Sequence, residues 1–220
     1  MLVRHFMTRQ VQTVKETMLC REALVLFQAQ NFRRAPVMRG ETLIGMVALA
    51  DLLRILPSSV DDMDRRTRIT KEKSLVAQAM TTKPVTLGPD DHLEDAARLM
   101  LVHKIGALPV VHDGKLEGLL TESDIFRAFV GMTTPHGELR VTFTLTNSAQ
   151  DGPDPILVAL RLGFRVRSYL VHSSPGGEDM AVMRLRGRKK QELVTALGQV
   201  GYSVIEVQDT RETQDRRPAA

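Results

Sequence analysis

Apolar residues recur with two distinct periods between residues 84 and 130, and the changes of period predict a succession of strands and helices. In the helical stretches apolar side chains recur every three or four positions, whereas the strands are short apolar runs. The Asp113-Gly114 pair between two such runs favours a two-residue hairpin turn. The predicted order is strand, helix, strand, strand and helix, at 84–87, 92–104, 107–111, 116–120 and 122–130.

The N-terminal part of the chain repeats this segment at a shift of 73 positions, without a gap. Chance seldom gives so many ungapped matches that include proline, glycine and aspartate, so we interpret 2–56 and 75–129 as two copies of one unit. The predicted domains are 1–56 and 75–131, joined by a polar linker at 57–74. The matching residues include Met7-Thr8 with Met80-Thr81, Pro36-Val37 with Pro109-Val110, Gly45 with Gly118, and Asp51 with Asp124.

Residues 138–208 do not join the repeat and predict a separate domain. Apolar residues alternate with threonines from Val141 to Leu145, which is typical of a half-buried strand. Asp154 is a predicted N-cap with Pro155 at the first helical position. The whole order is βαββαβ, the order of the ferredoxin-like plait. We expect residues 209–220 to form a disordered tail.

Composition and charge restrict the class of protein. The 220 residues are 43% hydrophobic and 25% charged, as in globular proteins that are soluble in water, and no apolar run is long enough to span a membrane. The N-terminus has no apolar segment typical of a secretory signal, and the single cysteine excludes an internal disulfide. We therefore expect a cytoplasmic protein without a membrane segment. The net charge of +4 is spread along the chain and is only a faint indication of nucleic-acid binding, so we expect no nucleic-acid partner.

Three short motifs of the second copy occur in a fixed order. They are Met80-Thr81 with Pro84-Val85-Thr86, then Gly106-Ala-Leu-Pro-Val-Val111, then Gly118-Leu-Leu-Thr-Glu-Ser-Asp124. With these motifs both copies of the repeat resemble CBS domains, and the pair resembles a Bateman module. The resemblance implies that the copies pack through their sheets and leave two clefts, which in this family commonly hold adenine nucleotides or related adenosine compounds.

The Thr121-Glu-Ser-Asp124 segment carries the sharpest chemical signal. Thr121 stands where a strand passes into a helix, and the free N–H groups there favour a phosphate. Asp124, one turn later, can accept hydrogen bonds from both ribose hydroxyls. The alternative is a capping box that satisfies the start of the helix and binds nothing.

The equivalent segment of the first copy, Ala48-Leu-Ala-Asp51, keeps the aspartate and lacks the hydroxyl. We therefore expect one competent cleft that uses Asp124 and one weaker or empty cleft that uses Asp51. Thr86, its counterpart Thr13 and the segment Gly106-Ala107-Leu108 match family positions that contact the base and ribose. The alternative for this strand is packing alone, which we prefer for Leu108. Arg34, directly before a strand, is the preferred basic residue for phosphate, against a solvated-surface alternative.

The third domain resembles an ACT domain, and the Asp151-Gly152-Pro segment stands where ACT domains often carry an Asp-x-Pro-Gly turn that meets a small ligand. Here the glycine is displaced. Asp151 and Gly152 are the candidate ligand contacts. Two CBS copies followed by an ACT-like domain resemble the bacterial acetoin-utilisation proteins of the AcuB type.

Catalytic and metal-binding motifs are not found. The six histidines show no metal-ligand spacing, and no nucleophile pattern or phosphate-binding Walker loop is present. We expect a non-enzymatic α+β regulatory protein that takes an adenine nucleotide as regulatory ligand and signals through a homodimer or a protein partner. Two alternatives stay open. One is an amino-acid-responsive regulator that acts through the ACT-like domain, and the other is a dimerisation scaffold without a ligand.

Overall fold

The computed structural model describes residues 1–56, 72–133, 138–145, 153–173 and 178–209. The chain divides into two compact units, Met1–Ala128 and Phe129–Ala220. Most of the predicted linker, at 57–71, lies outside the described residues. So do Asp151 and Gly152 of the predicted ACT turn, and all but the first residue of the predicted tail.

The first unit holds both copies of the repeat, and its last helix runs into the second unit. Each copy contains an antiparallel hairpin with a helix before it and a helix after it. The elements are a 3-10 helix (Val3–His5), β1 (Val14–Lys15), α1 (Cys20–Gln30), β2 (Arg34–Arg39), β3 (Thr42–Ala48), α2 (Leu49–Ile55), α3 (Val76–Ala79), β4 (Thr81–Thr82), α4 (Leu93–His103), β5 (Ala107–His112), β6 (Lys115–Thr121) and α5 (Glu122–Thr133).

The two copies keep the 73-residue shift down to the ends of their elements. Helices α1 and α4 are both 11 residues long and begin at equivalent positions. Each is followed by a residue in the left-handed region, Asn31 at φ 53° and Lys104 at φ 53°. The hairpins have equivalent bounds and a register shift at the same place. The repeat predicted from the sequence is therefore confirmed as a structural repeat.

The leading segment of each copy packs in the core of the other copy. Val3 and Met7 are buried with residues of the second copy, and Thr8 exchanges two backbone hydrogen bonds of 2.9 Å with Leu119 of β6. In the same way, Val76 is buried in the first copy's core, and β4 pairs with β3. Each half of the unit is thus built from both copies, which the boundaries of the repeat do not reveal.

Two equivalent glycines make this exchange possible. A Cβ atom on Gly45 of β3 would lie 2.7 Å from the carbonyl oxygen of Thr81. A Cβ atom on Gly118 of β6 would lie 2.6 Å from Sδ of Met7. Real Cβ atoms do not approach other atoms so closely, so an alanine at Gly45 would displace backbone, and one at Gly118 would displace the Met7 side chain.

The second unit is a four-stranded antiparallel sheet with two helices, in the order βαββαβ that the sequence pattern predicts. The strands lie side by side in the order β10, β7, β9, β8. Asp154 is the N-cap of the first helix and accepts a hydrogen bond of 2.7 Å from the N–H of Ile156, as predicted. The elements are β7 (Leu139–Leu145), α6 (Pro155–Arg161), β8 (Arg165–His172), β9 (Asp179–Arg186), α7 (Lys190–Gln199) and β10 (Ser203–Asp209).

One face of this sheet forms the core of the second unit. Leu139, Val141 and Phe143 of β7 are at most 1% exposed and pack with residues of both helices. Because side chains alternate along a strand, Arg140, Thr142 and Thr144 lie on the opposite face. Among the described helices of the whole chain, none is long and apolar enough to cross a membrane.

Candidate functional site

Two clefts in the first unit are related by the 73-residue shift. The Asp51 cleft has a volume of about 410 Å³ and combines Asp51 of the first copy with segments of the second copy. Its lining residues are Arg34, Met46, Val47, Ala48, Asp51, Thr81, Lys83, Pro84, Val85, His103, Lys104, Ile105, Gly106 and Ala107.

The Thr121 cleft is the counterpart, with a volume of about 360 Å³. It combines Thr121 of the second copy with two segments of the first copy, at 8–12 and 30–34, which are equivalent to the segments that line the Asp51 cleft. Its lining residues are Thr8, Gln10, Val11, Gln12, Gln30, Asn31, Phe32, Arg33, Arg34, Gly106, Leu119, Thr121, Glu122 and Ser123.

Asp124 lies beneath Thr121 rather than in the lining of its cleft. One carboxylate oxygen, Oδ2, accepts hydrogen bonds from the Thr121 N–H at 2.9 Å and from the Thr121 hydroxyl at 2.6 Å. The other, Oδ1, accepts from Nη1 of Arg127 at 2.7 Å. The Asp124 side chain is only 6% exposed. This geometry is the reciprocal capping arrangement that the sequence left open as the alternative.

Asp51 caps α2 through its backbone contact but keeps a more open carboxylate. Its Oδ2 accepts a hydrogen bond of 3.1 Å from the N–H of Ala48, and its Oδ1 forms an ion pair of 3.2 Å with Arg54. Ala48 stands where the second copy has Thr121, so Oδ2 of Asp51 accepts no hydrogen bond from a hydroxyl at that position. The Asp51 side chain is 23% exposed and lines its cleft. Each of its oxygens can accept a further hydrogen bond.

The two clefts differ in charge at equivalent positions. The Asp51 cleft carries Lys83, His103 and Lys104. At the equivalent positions the Thr121 cleft carries three uncharged amide side chains, although it contains one cation of its own, Arg33, beside the acidic Glu122. The Asp51 cleft therefore offers more positive charge to an anionic ligand. The amide residues are Gln10, Gln30 and Asn31.

Arg34 and Gly106 line both clefts. A Cβ atom on Gly106 would lie 2.5 Å from Oε2 of Glu122 and even closer to the Arg34 guanidinium, so both charged groups lie against the bare glycine backbone. The 73-residue shift places Ala107 opposite Arg34. Arg34 therefore lines both clefts and has no arginine counterpart in the second copy.

The remaining residues predicted to contact a ligand do not all line the two clefts. Ala107 lines the Asp51 cleft, whereas Leu108 is fully buried and belongs to the core. Thr86 is exposed and lies in the lining of neither cleft. Thr13 lines a separate, shallower depression with Arg9 and Lys115.

Sequence reasoning missed Lys83, His103 and Lys104 as cleft residues. The signal that could have found them is the repeat itself. Gln30 and Asn31 end the helix before Arg34 in the first copy, and the 73-residue shift places His103 and Lys104 at the same end of the second copy's helix. In the part of the chain that the structure describes, no group of three or more His, Cys, Asp or Glu residues could hold a metal ion.

Comparisons with known proteins identify relatives of the repeat. The model of the CBS domain matches residues 3–58 and 76–131. YhcV of Bacillus subtilis is 32% identical over 123 residues, which cover 56% of this chain and 81% of that protein. MJ1225 of Methanocaldococcus jannaschii is 29% identical over 126 residues, 57% of this chain. The match spans only 41% of the length of MJ1225.

Solved structures give the same result. A Vibrio cholerae protein described as an acetoin utilization protein (AcuB) is 27% identical, with a TM-score of 0.51 over 60% of this chain and 93% of that chain. CBSX2, a protein of Arabidopsis thaliana, is 34% identical in its complex with AMP, with a TM-score of 0.52 over 60% of this chain and 98% of that chain. Since the family model matches both copies of the repeat, the chain belongs to the family of CBS-domain proteins.

Proposed function

We propose that this chain is a non-catalytic regulatory protein whose CBS pair binds an adenine nucleotide, or a related adenosyl metabolite, in the Asp51 cleft. The observation that carries the proposal is the arrangement of that cleft. It joins an accessible carboxylate, an apolar wall and a group of cations.

Each part of a nucleotide has a matching part of the cleft. The open oxygens of Asp51 suit the paired hydroxyls of a ribose, because a carboxylate accepts two hydrogen bonds in one plane. Val85 and Ile105 supply apolar surface for the flat base. Lys83, Lys104 and Arg34 supply charge-assisted hydrogen bonds for a phosphate.

The Thr121 cleft is the weaker candidate, which reverses the order expected from the sequence. The threonine hydroxyl that made this copy attractive donates to Asp124, and Asp124 in turn is closed off by Arg127. A ribose would have to break these hydrogen bonds. The carboxylate of Glu122 would also repel a phosphate.

The comparison with CBSX2 supports the same class of ligand, because that relative is known in complex with AMP and is 34% identical to this chain. We further propose that ligand binding favours one arrangement of the pair and so shifts a population. The response would reach a partner protein or a second copy of the chain in the cytoplasm.

Titration calorimetry tests this function with AMP, ADP, ATP and S-adenosylmethionine. We expect at least one of them to bind, and Asp51→Asn to weaken its binding about 10-fold or more, because hydrogen bonds to a charged group are worth about 1.5–3 kcal/mol. Asp113→Asn is the matched control, since this aspartate is 89% exposed and lies in the lining of neither cleft. The absence of heat with all four ligands would contradict the proposal.

For the second unit we propose an ACT-type, ferredoxin-like domain that supports dimerisation or contacts a partner. Its sheet order places β10 and β8 at the edges, and unpaired edges can pair with a second copy. A response to amino acids through Asp151 and Gly152 is the second candidate, and a ligand-free scaffold is the third. Thermal unfolding with a panel of amino acids tests the second candidate, because it alone predicts stabilisation. A role in acetoin utilisation rests on the likeness to the Vibrio cholerae protein.

A further inference from the structure

Two arginines face each other on the second unit's sheet. Arg140 of β7 and Arg184 of β9 are direct cross-strand partners on the face opposite the hydrophobic core. Like charges at such positions destabilise a sheet. Burial and, after it, the Arg140 charge lower the pKa of Arg184. The fold therefore holds two guanidinium groups together at an electrostatic cost.

The nearby carboxylates are already paired with arginines, and Nη1 of Arg140 also donates a hydrogen bond of 3.4 Å to Oε1 of Gln208. Glu138, whose side chain is fully buried, lies 3.3 Å from Nε of Arg167 and 3.3 Å from Nε of Arg186. Glu206 lies 3.7 Å from Nη1 of Arg140. Arg184 forms neither an ion pair nor a side-chain hydrogen bond with the residues that the structure describes, although Glu138 favours its charge from a greater distance.

Hydroxyl groups on the same face also lack partners. Oγ of Ser168 and Oγ1 of Thr142 and Thr144 are inaccessible to solvent and make no hydrogen bond within the described part of the chain. Ser168 is the cross-strand partner of Arg184 on β8, and Thr142 follows Arg140 on the same face of β7. Thr144 is only 9% exposed. Buried hydroxyls in native proteins are almost always hydrogen-bonded, so these hydroxyls are suited to donate to an oxyanion bound on this face.

We propose that Arg140, Arg184, Thr142 and Ser168 form a binding site for the oxyanion group of a small metabolite, either a phosphate or a carboxylate. Such a group accepts from the forked donors of a guanidinium and from hydroxyls at once. Its negative charge offsets the repulsion between the two arginines. The site lies within the second unit and shares no residue with the nucleotide cleft. The two proposals are therefore independent of each other.

The experiment compares the thermal unfolding of the full chain in sodium phosphate, sodium acetate and sodium chloride at equal ionic strength. Without an added oxyanion, we expect Arg184→Met to unfold at a higher temperature than the wild type, because the repulsion is gone. Phosphate or acetate should then raise the midpoint of the wild type above its value in chloride, and that of Arg184→Met much less. Arg188→Met, at an exposed arginine of the same unit, is the control and should respond like the wild type.

The two oxyanions distinguish the sources of the ligand. A response to phosphate alone assigns a phosphate compound, and a response to acetate alone assigns a carboxylate compound. Phosphate also stabilises proteins through exclusion from their surface, but that effect acts equally on both variants. Ser168→Ala keeps every charge and should reduce the rise of the unfolding midpoint several-fold. This variant replaces Arg184→Met as the test if Arg184→Met fails to fold. Equal responses of the wild type, Arg184→Met and Ser168→Ala would overturn the proposal.

Discussion

Asp51 and Asp124 occupy equivalent positions in the two copies of the repeat, yet their side chains are 23% and 6% exposed. A local difference in hydrogen bonding accompanies this difference in exposure. Thr121 donates its hydroxyl to Asp124, whereas Ala48 has no hydroxyl to donate to Asp51. The same aspartate therefore closes the start of a helix in one copy and faces a cleft in the other.

Replacement of the two aspartates should lower the free energy of unfolding by different amounts. Asp124→Ala removes hydrogen bonds to both the N–H and the hydroxyl of Thr121, so we expect a loss of about 1–2 kcal/mol in the free energy of unfolding. Asp51→Ala should cost less, because it removes one longer backbone contact and a largely exposed ion pair. Urea unfolding measures both. A larger loss in Asp51→Ala would contradict this assignment.

The cations of the Asp51 cleft should act on phosphate rather than on the nucleoside. Lys83→Gln and Lys104→Asn install the residues that stand at the equivalent positions of the Thr121 cleft. We expect each to weaken AMP binding about 10-fold, since hydrogen bonds to charged groups are worth about 1.5–3 kcal/mol. Adenosine binding should change little. Calorimetry with both ligands measures the difference, and an equal loss for AMP and adenosine would show that the lysines hold no phosphate.

The glycines under the exchanged segments should resist substitution. Gly45→Ala brings Cβ to 2.7 Å from a backbone oxygen, which cannot move freely, so we expect a loss of about 1–3 kcal/mol in unfolding free energy. Gly118→Ala should cost less, because its nearest neighbour is the flexible side chain of Met7.

Gly131→Ala is the control for these glycine variants. A Cβ atom at this position in α5 meets nothing within 4 Å, so alanine should stabilise the helix by up to about 1 kcal/mol. Chemical denaturation of all three variants gives the comparison. If Gly45→Ala and Gly131→Ala had the same stability, the close approach of β3 to Thr81 would be wrong.

Glu16 should contribute to stability in a pH-dependent way. Its hydrogen bonds with the Arg39 guanidinium, one of them 2.6 Å long, lower the pKa of Glu16 below the usual 4.5. A carboxyl whose pKa falls on folding stabilises the protein above its unfolded pKa and loses that effect as pH falls through the folded pKa. As the pH falls below 4.5, Glu16→Gln should therefore lose less thermal stability than the wild type. The exposed Glu41→Gln, in the neighbouring hairpin turn, should leave that loss unchanged.

Exposed apolar side chains of the second copy provide a test of the proposed homodimer. Leu101 and Val102 of α4 are 79% and 69% exposed, and Phe126 of α5 is 67% exposed. If a second copy covers them, Phe126→Asp should weaken the dimer at least about 10-fold, because a buried phenylalanine is worth about 1.5–3 kcal/mol. Sedimentation equilibrium measures the dissociation constant. Lys115→Asp, at the exposed β5–β6 turn, introduces an aspartate away from these apolar side chains and should not change the dissociation constant.

Most of the element pattern of the repeat was predictable because it is local, although the strand predicted at 84–87 is only an isolated bridge between Leu87 and Val110. Helical stripes and the Asp113-Gly114 turn depend on residues close in sequence, and the structure has an 11-residue helix and a hairpin at the predicted places. In the second unit, the cap formed by Asp154 and Pro155 is equally local, and it too is confirmed.

The composition of the clefts was only partly predictable. Asp51, Arg34, Gly106 and Ala107 were identified from the motifs, and all four line the Asp51 cleft. Lys83 was not, because its place in the cleft depends on the pairing of β4 with the other copy's β3. The motif offered both a cap and a ribose contact for Asp124, and only the side-chain geometry shows that Asp124 accepts from Thr121.

The sequence by itself determined that this protein contains one unit twice, since a 73-residue shift matches chemically distinctive residues along both copies. It did not determine which copy receives each leading segment, because equivalent copies offer equivalent places to pack. Only the tertiary structure decided that Val3 and Met7 join the second core and Val76 the first. The packing of the two copies builds each cleft from both of them, and the exchanged segment brings Lys83 to the Asp51 cleft, whereas the Thr121 cleft has the uncharged Gln10 at the equivalent position.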